Sequence, residues 1–441
     1  MNNEPDGMLG AIIASESLGL TDTMINGAGG CRSRAQIMMH DLIPAYEPEN
    51  QGCTGSKFFS RQSRLPCTYL GNDDIVFGTS AKVSSGVESV SSITGRRAIL
   101  LDTLGASLLC TDYTGLTGSS DTSPITLEDD LSSMSLPEGF DAATDAILSS
   151  LDLESGEDGA VNLFGYGLMD LGWEAGAEEL RRILEPMGAK VGCVAGCMPS
   201  KESLRSCGKA ALNVMVHPEY CRRTVRSLEE RFGIPSLRPS EGAPVGYPAT
   251  RSFVKEVAAE LGLDPSPSLA IIDEDARAVH KVLMNCDRAS ASLHCKGFTI
   301  DGDSSVVYPL TKWLCDTFGM RPRHVRPTDG EYSPEIGRYL GPLGFSDALE
   351  GAEGEVMLVF SDGLTALEGR LACDDTGYVE TRIPHGRLMD LMGRTLVGLR
   401  GCRYVLDEMM NGLTRFRCGQ PTEVEYRPGC CRKREGDTQS V

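Results

Sequence analysis

Short apolar runs alternate with longer amphipathic stretches along most of the chain. RAILLDTLG (97–105), VNLFGYG (161–167), AKVGCVAG (189–196), ALNVMVH (211–217), KGFTIDGD (296–303), RHVRPTD (323–329) and EVMLVFSDG (355–363) predict buried strands. The stretches between them have helical spacing. WEAGAEELRRILEPMG sets Leu180, Ile183 and Leu184 on one face. PEYCRRTVRSLEERFG does the same with Val225, Leu228 and Phe232, and Gly233 closes it. TRSFVKEVAAELG and YPLTKWLCDTFG also end in glycine. A strand-then-helix rhythm of this kind predicts an α/β fold with doubly wound, mostly parallel sheets.

The rhythm breaks at residues 119–160, which are rich in Ser, Asp and Glu and carry one helical pattern, SLPEGFDAATDAILSSLD. It breaks again at the Gly/Pro loop 241–251 and at LGLDPSPS (261–268). These breaks divide the chain into α/β domains over 1–159, 160–267 and 268–415, with an aperiodic tail at 416–441.

Composition narrows the function. Hydrophobic residues make up 41% of the 441 positions, enough for several cores, and the 50 glycines suit many strand-to-helix turns. The formal charge of −20 opposes nucleic-acid phosphate and anionic membranes, and no long Lys/Arg stripe reverses that locally. The N-terminal MNNEPDGMLGAIIASESLGL has an acidic lead and no Lys or Arg, unlike a secretory signal. No apolar run reaches a membrane-spanning length, so the expected location is the cytoplasm. The 16 cysteines are scattered, unlike the framework of a small secreted domain, and a reducing compartment keeps them as thiols. Most are expected to be small buried hydrophobes and a few to be ligands.

The sharpest local feature is NGAGGCRSR (26–34). A dinucleotide fingerprint would need a third glycine where Arg32 stands, and no Walker loop occurs in the chain. This disfavours a nucleotide site, so any ATP chemistry falls to a partner. A thiolate at Cys31 between a strand end and a helix start would instead meet backbone amides and the positive helix end. Gly29 and Gly30 would let the backbone approach a cluster closely; a plain strand–turn–helix accounts for the same glycines. A second element, SRLPCTYLGNDDIVFGTSAKV (63–83), places Cys67 after Pro66 and an acidic pair before IVFG.

NGAGGC, PCTYLGNDDIVFG, AILLDTLGASLL, PEGFDAATDAI, KAALNVMVHPEYCRRTVRSLEERFGIP and VGLRGCRYVLDEM follow one another in this order. In that order the chain resembles component 1 of nitrogenase and its relatives over roughly residues 8–412. The relatives include the dark-operative chlorophyllide-type reductases, the coenzyme F430 reductive cyclase and the scaffolds that build nitrogenase cofactor. The resemblance implies three Rossmann-like domains and an iron–sulfur cluster of the 4Fe–4S type between two subunits, commonly held by three cysteines from each. Cys31 and Cys67 match the first two. Leu104 occupies the third position, where no iron ligand is then available, and Cys110 follows six residues later.

Two thiolates per chain do not complete a four-iron cluster. A two-fold homodimer supplies Cys31 and Cys67 twice. The alternatives are Cys110 or Cys53 as a substitute ligand, a paralogous partner with ligands of its own, or loss of the cluster. Elsewhere, the C-x-x-x-C pair Cys193/Cys197 is a weak zinc candidate, for which burial is the expected account, and the adjacent Cys430/Cys431 are a redox candidate, for which a loose tail is the expected account. His217 follows a strand, either facing a crevice or satisfied in place.

The resemblance implies the catalytic component of a two-component reductase. A separate iron protein would hydrolyse ATP and pass low-potential electrons through the cluster to an unsaturated substrate such as a tetrapyrrole. A cofactor-assembly scaffold or a non-catalytic half of a heterodimer are the other expectations.

Overall fold

The computed structural model describes residues 5–42, 65–111, 113, 116, 123–127, 129–285, 293–372, 376–386 and 392–418. These form three sheets flanked by helices, and every strand pairing among them is parallel. The first sheet takes β1 (Thr21–Asn26), β2 (Arg97–Asp102) and β3 (Ile125–Thr126) in the order β1-β2-β3. The second takes β4 (Ala160–Gly167), β5 (Lys190–Gly196), β6 (Leu212–Met215) and β7 (Ser236–Leu237) in the order β5-β4-β6-β7. The third takes β8 (Gly297–Gly302), β9 (Arg321–Pro327), β10 (Leu358–Asp362) and β11 (Gly377–Arg382) in the order β11-β10-β8-β9. The expected α/β architecture with parallel sheets is therefore the one observed.

The second and third sheets share a winding. In each, the first strand is inner, the second lies on one side, and the third and fourth lie on the other. The winding reverses between β4 and β6 and again between β8 and β10. Such a reversal leaves a crevice at the carboxyl ends of the strands, where α/β folds place ligands.

The N-terminal apolar patch forms a buried helix, Gly7–Leu18, capped by Asp6, whose carboxylate accepts from the Leu9 amide at 3.0 Å. It packs on the helix Leu136–Ser149 at backbone contact. A Cβ on Gly10 would lie 2.0 Å from the Leu136 carbonyl oxygen, and one on Gly139 would lie 2.0 Å from that of Gly7. That approach seals one core, which runs from Leu9, Ile12 and Ile13 through Phe140 and Ile147 to Phe164 of β4. A second core joins the other two sheets, from Leu163 and Val214 to Phe298 and Phe360.

Several boundaries differ from those predicted. Strand β2 stops at Asp102, and Leu104–Ser107 is a helical turn. The Gly/Pro loop ends earlier than its composition suggests, because Pro248 sits in the first turn of the helix Tyr247–Leu261, where its missing amide costs nothing. The break at 261–268 is also shorter. Asp264 accepts from the Ser266 amide at 3.0 Å and starts the helix Ser266–Asn285. The helices predicted to close on glycine do so, with Gly233, Gly262 and Gly319 in left-handed conformation.

Candidate functional site

Parallel pairing sends the chain out of β1 and β2 at the same edge of the first sheet. Residues 27–31 leave β1 there and residues 103–108 leave β2. The segment after Pro66 joins them. The Ile25 amide donates to the Pro66 carbonyl (2.9 Å), the Thr68 amide to Ile25 (3.0 Å), and the Leu70 amide to Gly27 (2.9 Å). Cys67 is thereby laid beside the NGAGGC turn, its Sγ 3.3 Å from the Gly27 carbonyl oxygen. Cys31 lies exposed in the first turn of the helix Gly29–Leu42.

Cross-links fix this pairing. The Arg32 guanidinium donates to the Tyr69 hydroxyl at 2.6 Å and to the Leu65 carbonyl at 3.3 Å. Lys82 donates to the Tyr69 carbonyl at 3.0 Å and pairs with Asp74 at 2.7 Å. Burial pushes the Cys67 thiol up, and the neighbouring Cys31 sulfur adds to that. The Tyr69 amide, which meets Sγ at 3.4 Å, pulls the other way with Arg32 and Lys82. The Cys31 sulfur is thus close enough to act on the charge of Cys67.

The glycines of the turn do different jobs. A Cβ on Gly27 would fall 2.4 Å from the Thr103 side chain, and one on Gly29 would fall 3.0 Å from the Tyr69 ring. Gly30 has nothing within 4 Å, so its face is open. The amides of Gly29 and Gly30 lie at a helix N-terminus, where no intrahelical acceptor exists.

Leu104 sits at this edge too, directly after Thr103, whose amide and hydroxyl bond the Asn26 carbonyl at 3.0 and 3.1 Å. Its side chain is 59% exposed, and Leu108, Ile75, Val76 and Phe77 are more exposed or equally so. Cys110, in left-handed conformation at φ 46°, lines a separate 340 Å³ cavity with Asp102, Tyr113, Asp129 and Asp130. Cys53 and the Cys430/Cys431 pair lie outside the described residues. Cys193 is fully buried beside Cys207, while the Cys197 thiol points at the Trp173 carbonyl. The two sulfurs of that C-x-x-x-C pair thus face different partners.

A second site lies in the crevice between the second and third sheets. His217, 2% exposed, follows β6. Its Nδ1 is 2.6 Å from the Ser305 hydroxyl, its Nε2 is 3.1 Å from Asp170, and its ring stacks on Tyr166. Ser305 in turn donates to Glu219 at 2.6 Å. Burial opposes a charge on His217, but Asp170, Glu219 and Asp303 outweigh it and push the imidazole up to about 9. Burial also pushes the Glu219 and Asp303 carboxyls up, with Asp329 adding to both. His217 is thus enclosed, held by Ser305 and Asp170 from the strand ends of two sheets, beside the cleft that Glu219 lines.

Asp170, Glu219, Asp303, Ser305 and Asp329 were not singled out in the sequence. Each follows the carboxyl end of a strand, in GLMD, HPEY, DGDSS and PTDG. The signal was polar residues directly after a predicted buried strand.

A family model described as nitrogenase component 1 type oxidoreductase matches residues 7–333. One of the subunits of the light-independent protochlorophyllide reductase of Rhodospirillum rubrum is 32% identical over 183 residues, covering 42% of this chain and 32% of that protein. The corresponding protein from Halorhodospira halophila is 37% identical over 116 residues, covering 26% of this chain and 21% of that one. The matched stretches thus span a third or less of these curated relatives. A solved structure titled "Nitrogenase Cp1 at pH 6.5" superposes with a TM-score of 0.75, covering 96% of this chain and 95% of that one at 16% identity, a likeness of fold.

Proposed function

The chain belongs to the nitrogenase component 1 type oxidoreductase family, and from that membership we propose that it is a reductase subunit carrying half of an iron–sulfur cluster on Cys31 and Cys67. The observation that supports this best is the pair of thiols at one edge of the first sheet, inside the matched stretch, with open space over Gly30. The donor set fits half of a four-iron cluster, which takes four thiolates. A second copy, or a paralogous subunit, supplies the other half. The exposed apolar side chains of Ile75, Val76, Phe77, Leu104 and Leu108 suit a covered subunit face better than a solvated one.

When bound, the cluster supplies one-electron carriage between an ATP-hydrolysing iron protein and the substrate. The chain's own residues provide the setting. Arg32 and Lys82 place positive charge beside Cys67, which works against the burial that pushes its thiol up and favours its deprotonation on metal binding. Gly29 and Gly30 offer backbone amides without side-chain bulk. The substrate, an unsaturated molecule of the tetrapyrrole class, would bind between the domains. Support for that class comes from the relatives' activity, named as protochlorophyllide reduction.

Leu104 at the third ligand position favours one further reading, in which this chain is the specialised half of a heterodimer whose partner carries more ligands. A direct test is to mix the anaerobically purified chain with a candidate iron protein and follow the cluster by EPR. ATP-dependent reduction of the cluster supports the proposal. Reduction that ignores ATP, or none with any iron protein tried, contradicts it.

A further inference from the structure

Three carboxylates converge in the crevice between the second and third sheets. Glu219 lies in the turn after β6, Asp303 follows β8, and Asp329 follows β9. Each offers an oxygen within 4.8 Å of the other two. Oxygens bound to one hard cation at 2.0–2.6 Å are at most about 5 Å apart, so this spacing suits a shared ion.

Two of the acids are fixed in place. The Tyr220 hydroxyl donates to Asp303 at 2.9 Å and the Thr328 hydroxyl at 3.2 Å. Asp329 accepts from the Ser304 and Glu331 amides, each at 2.8 Å, and from the Ser304 hydroxyl. Glu219 takes the Ser305 hydroxyl on Oε1.

Charge compensation is partial: His217 offsets some of the charge on Glu219 and Asp303. Among the described residues no Lys or Arg forms an ion pair with Glu219, Asp303 or Asp329. The nearby guanidiniums have other partners: Arg222 and Arg238 hold Glu331, and Arg326 and Arg382 hold Asp301. The His217 imidazole reaches Glu219 only through Ser305.

An observation separate from the clustering points the same way. Glu219 Oε2 is sealed from solvent and meets no donor. A buried carboxylate oxygen without a partner is costly, and a cation removes that cost. The donors are all oxygens. Nδ1 of His217 meets Ser305, Nε2 lies 3.1 Å from Asp170 as an ion pair without a hydrogen bond, and the Cys221 thiol points at the His217 carbonyl. An all-oxygen set selects hard divalent ions over zinc or iron–sulfur chemistry. Glu219 and Asp329 also line a cleft of about 1070 Å³, which gives ion and water a way in.

We propose that Glu219, Asp303 and Asp329 hold one hard divalent cation of the Mg²⁺/Mn²⁺ class, which bridges the turns of the second and third sheets. The site is independent of the thiols at the first sheet.

Mn²⁺ titrated into the full chain and followed by EPR tests this. The expected result is one saturable site per chain, displaced by Mg²⁺ or Ca²⁺. Glu219→Gln and Asp303→Asn should each weaken it about tenfold or more, and the Cys31→Ala/Cys67→Ala variant should leave it intact. Thermal melting of the unmodified chain with and without Mn²⁺ gives a readout that does not depend on the variants folding, and a rise with Mn²⁺ is expected. The proposal is overturned if the unmodified chain shows no saturable site and no shift in melting. It is also overturned if the site survives both carboxamide variants unchanged, or if infrared spectra show a protonated Glu219 in a chain that binds no Mn²⁺.

Discussion

Replacing Asp141 with Ala should loosen the helix that follows the crevice turn. The helix Arg222–Phe232 begins at Cys221, whose side chain caps nothing. Its first amides are satisfied from another element. Asp141, on the helix Leu136–Ser149 and 5% exposed, accepts from the Arg223 amide at 2.6 Å and from the Thr224 amide and hydroxyl at 2.9 and 2.7 Å. One carboxylate thus caps a helix in trans and ties the first core to the turn carrying His217 and Glu219. Hydrogen bonds to a charged group contribute about 1.5–3 kcal/mol each, and a buried amide left without an acceptor costs about 1–3 kcal/mol. Burial pushes the Asp141 carboxyl up against the pull of its donors, so part of this is offset. The net cost for Asp141→Ala is then about 3 kcal/mol, and Asp141→Asn, which keeps one acceptor oxygen, should cost about half of that. Amide hydrogen exchange is the suitable assay, because a chain with three sheets need not unfold in one step. The amides of Arg223 and Thr224 should lose protection in Asp141→Ala and partly in Asp141→Asn. Unchanged protection, or a destabilisation below about 0.5 kcal/mol, would refute the capping argument.

The glycines of the thiol turn should separate by role. Gly27→Ala forces a Cβ against Thr103 and should lower stability by about 1–3 kcal/mol in urea melts. Gly30→Ala should leave the melt within about 0.5 kcal/mol yet reduce iron loading, because its open face is where a cluster or partner would come; full loading in that variant would remove the argument for Gly30. Gly165→Ala places a Cβ 2.2 Å from the His217 carbonyl oxygen at φ 78° and should cost more than about 3 kcal/mol, seen as loss of soluble folded protein. Glu179 is fully buried, accepts from the Leu399 and Arg400 amides at 3.0 and 3.2 Å and pairs with Arg182 and Arg400. Glu179→Ala should cost about 3 kcal/mol and release the helix Gly398–Cys418 first, read as early exchange of that helix.

The inner strands were legible because a strand covered on both faces is a plain run of apolar residues, as in VNLFGYG and ALNVMVH. The edge strands β3 and β7 were not, since two paired residues leave no period to read. Strand β11, GYVETR, was missed because it mixes polar residues with apolar ones, and its buried Glu380 is held by His385 at 2.9 Å. The thiol turn could be read from NGAGGC alone, yet its pairing with Cys67 depends on the Ile25–Pro66 backbone contact across a long gap in sequence. The crevice acids were hidden for a related reason. Glu219, Asp303 and Asp329 come from three separate strand ends, and only the winding of two sheets brings them together.

In the proposed dimer, Cys31 and Cys67 from two chains would hold one cluster. This is tested most directly by iron, sulfide and native-mass analysis of anaerobically purified protein beside its Cys31→Ala and Cys67→Ala variants. The expected result is a dimer with about four irons and four sulfides, lost in either variant while the fold persists. A folded protein without iron, or iron retained in both variants, would contradict it.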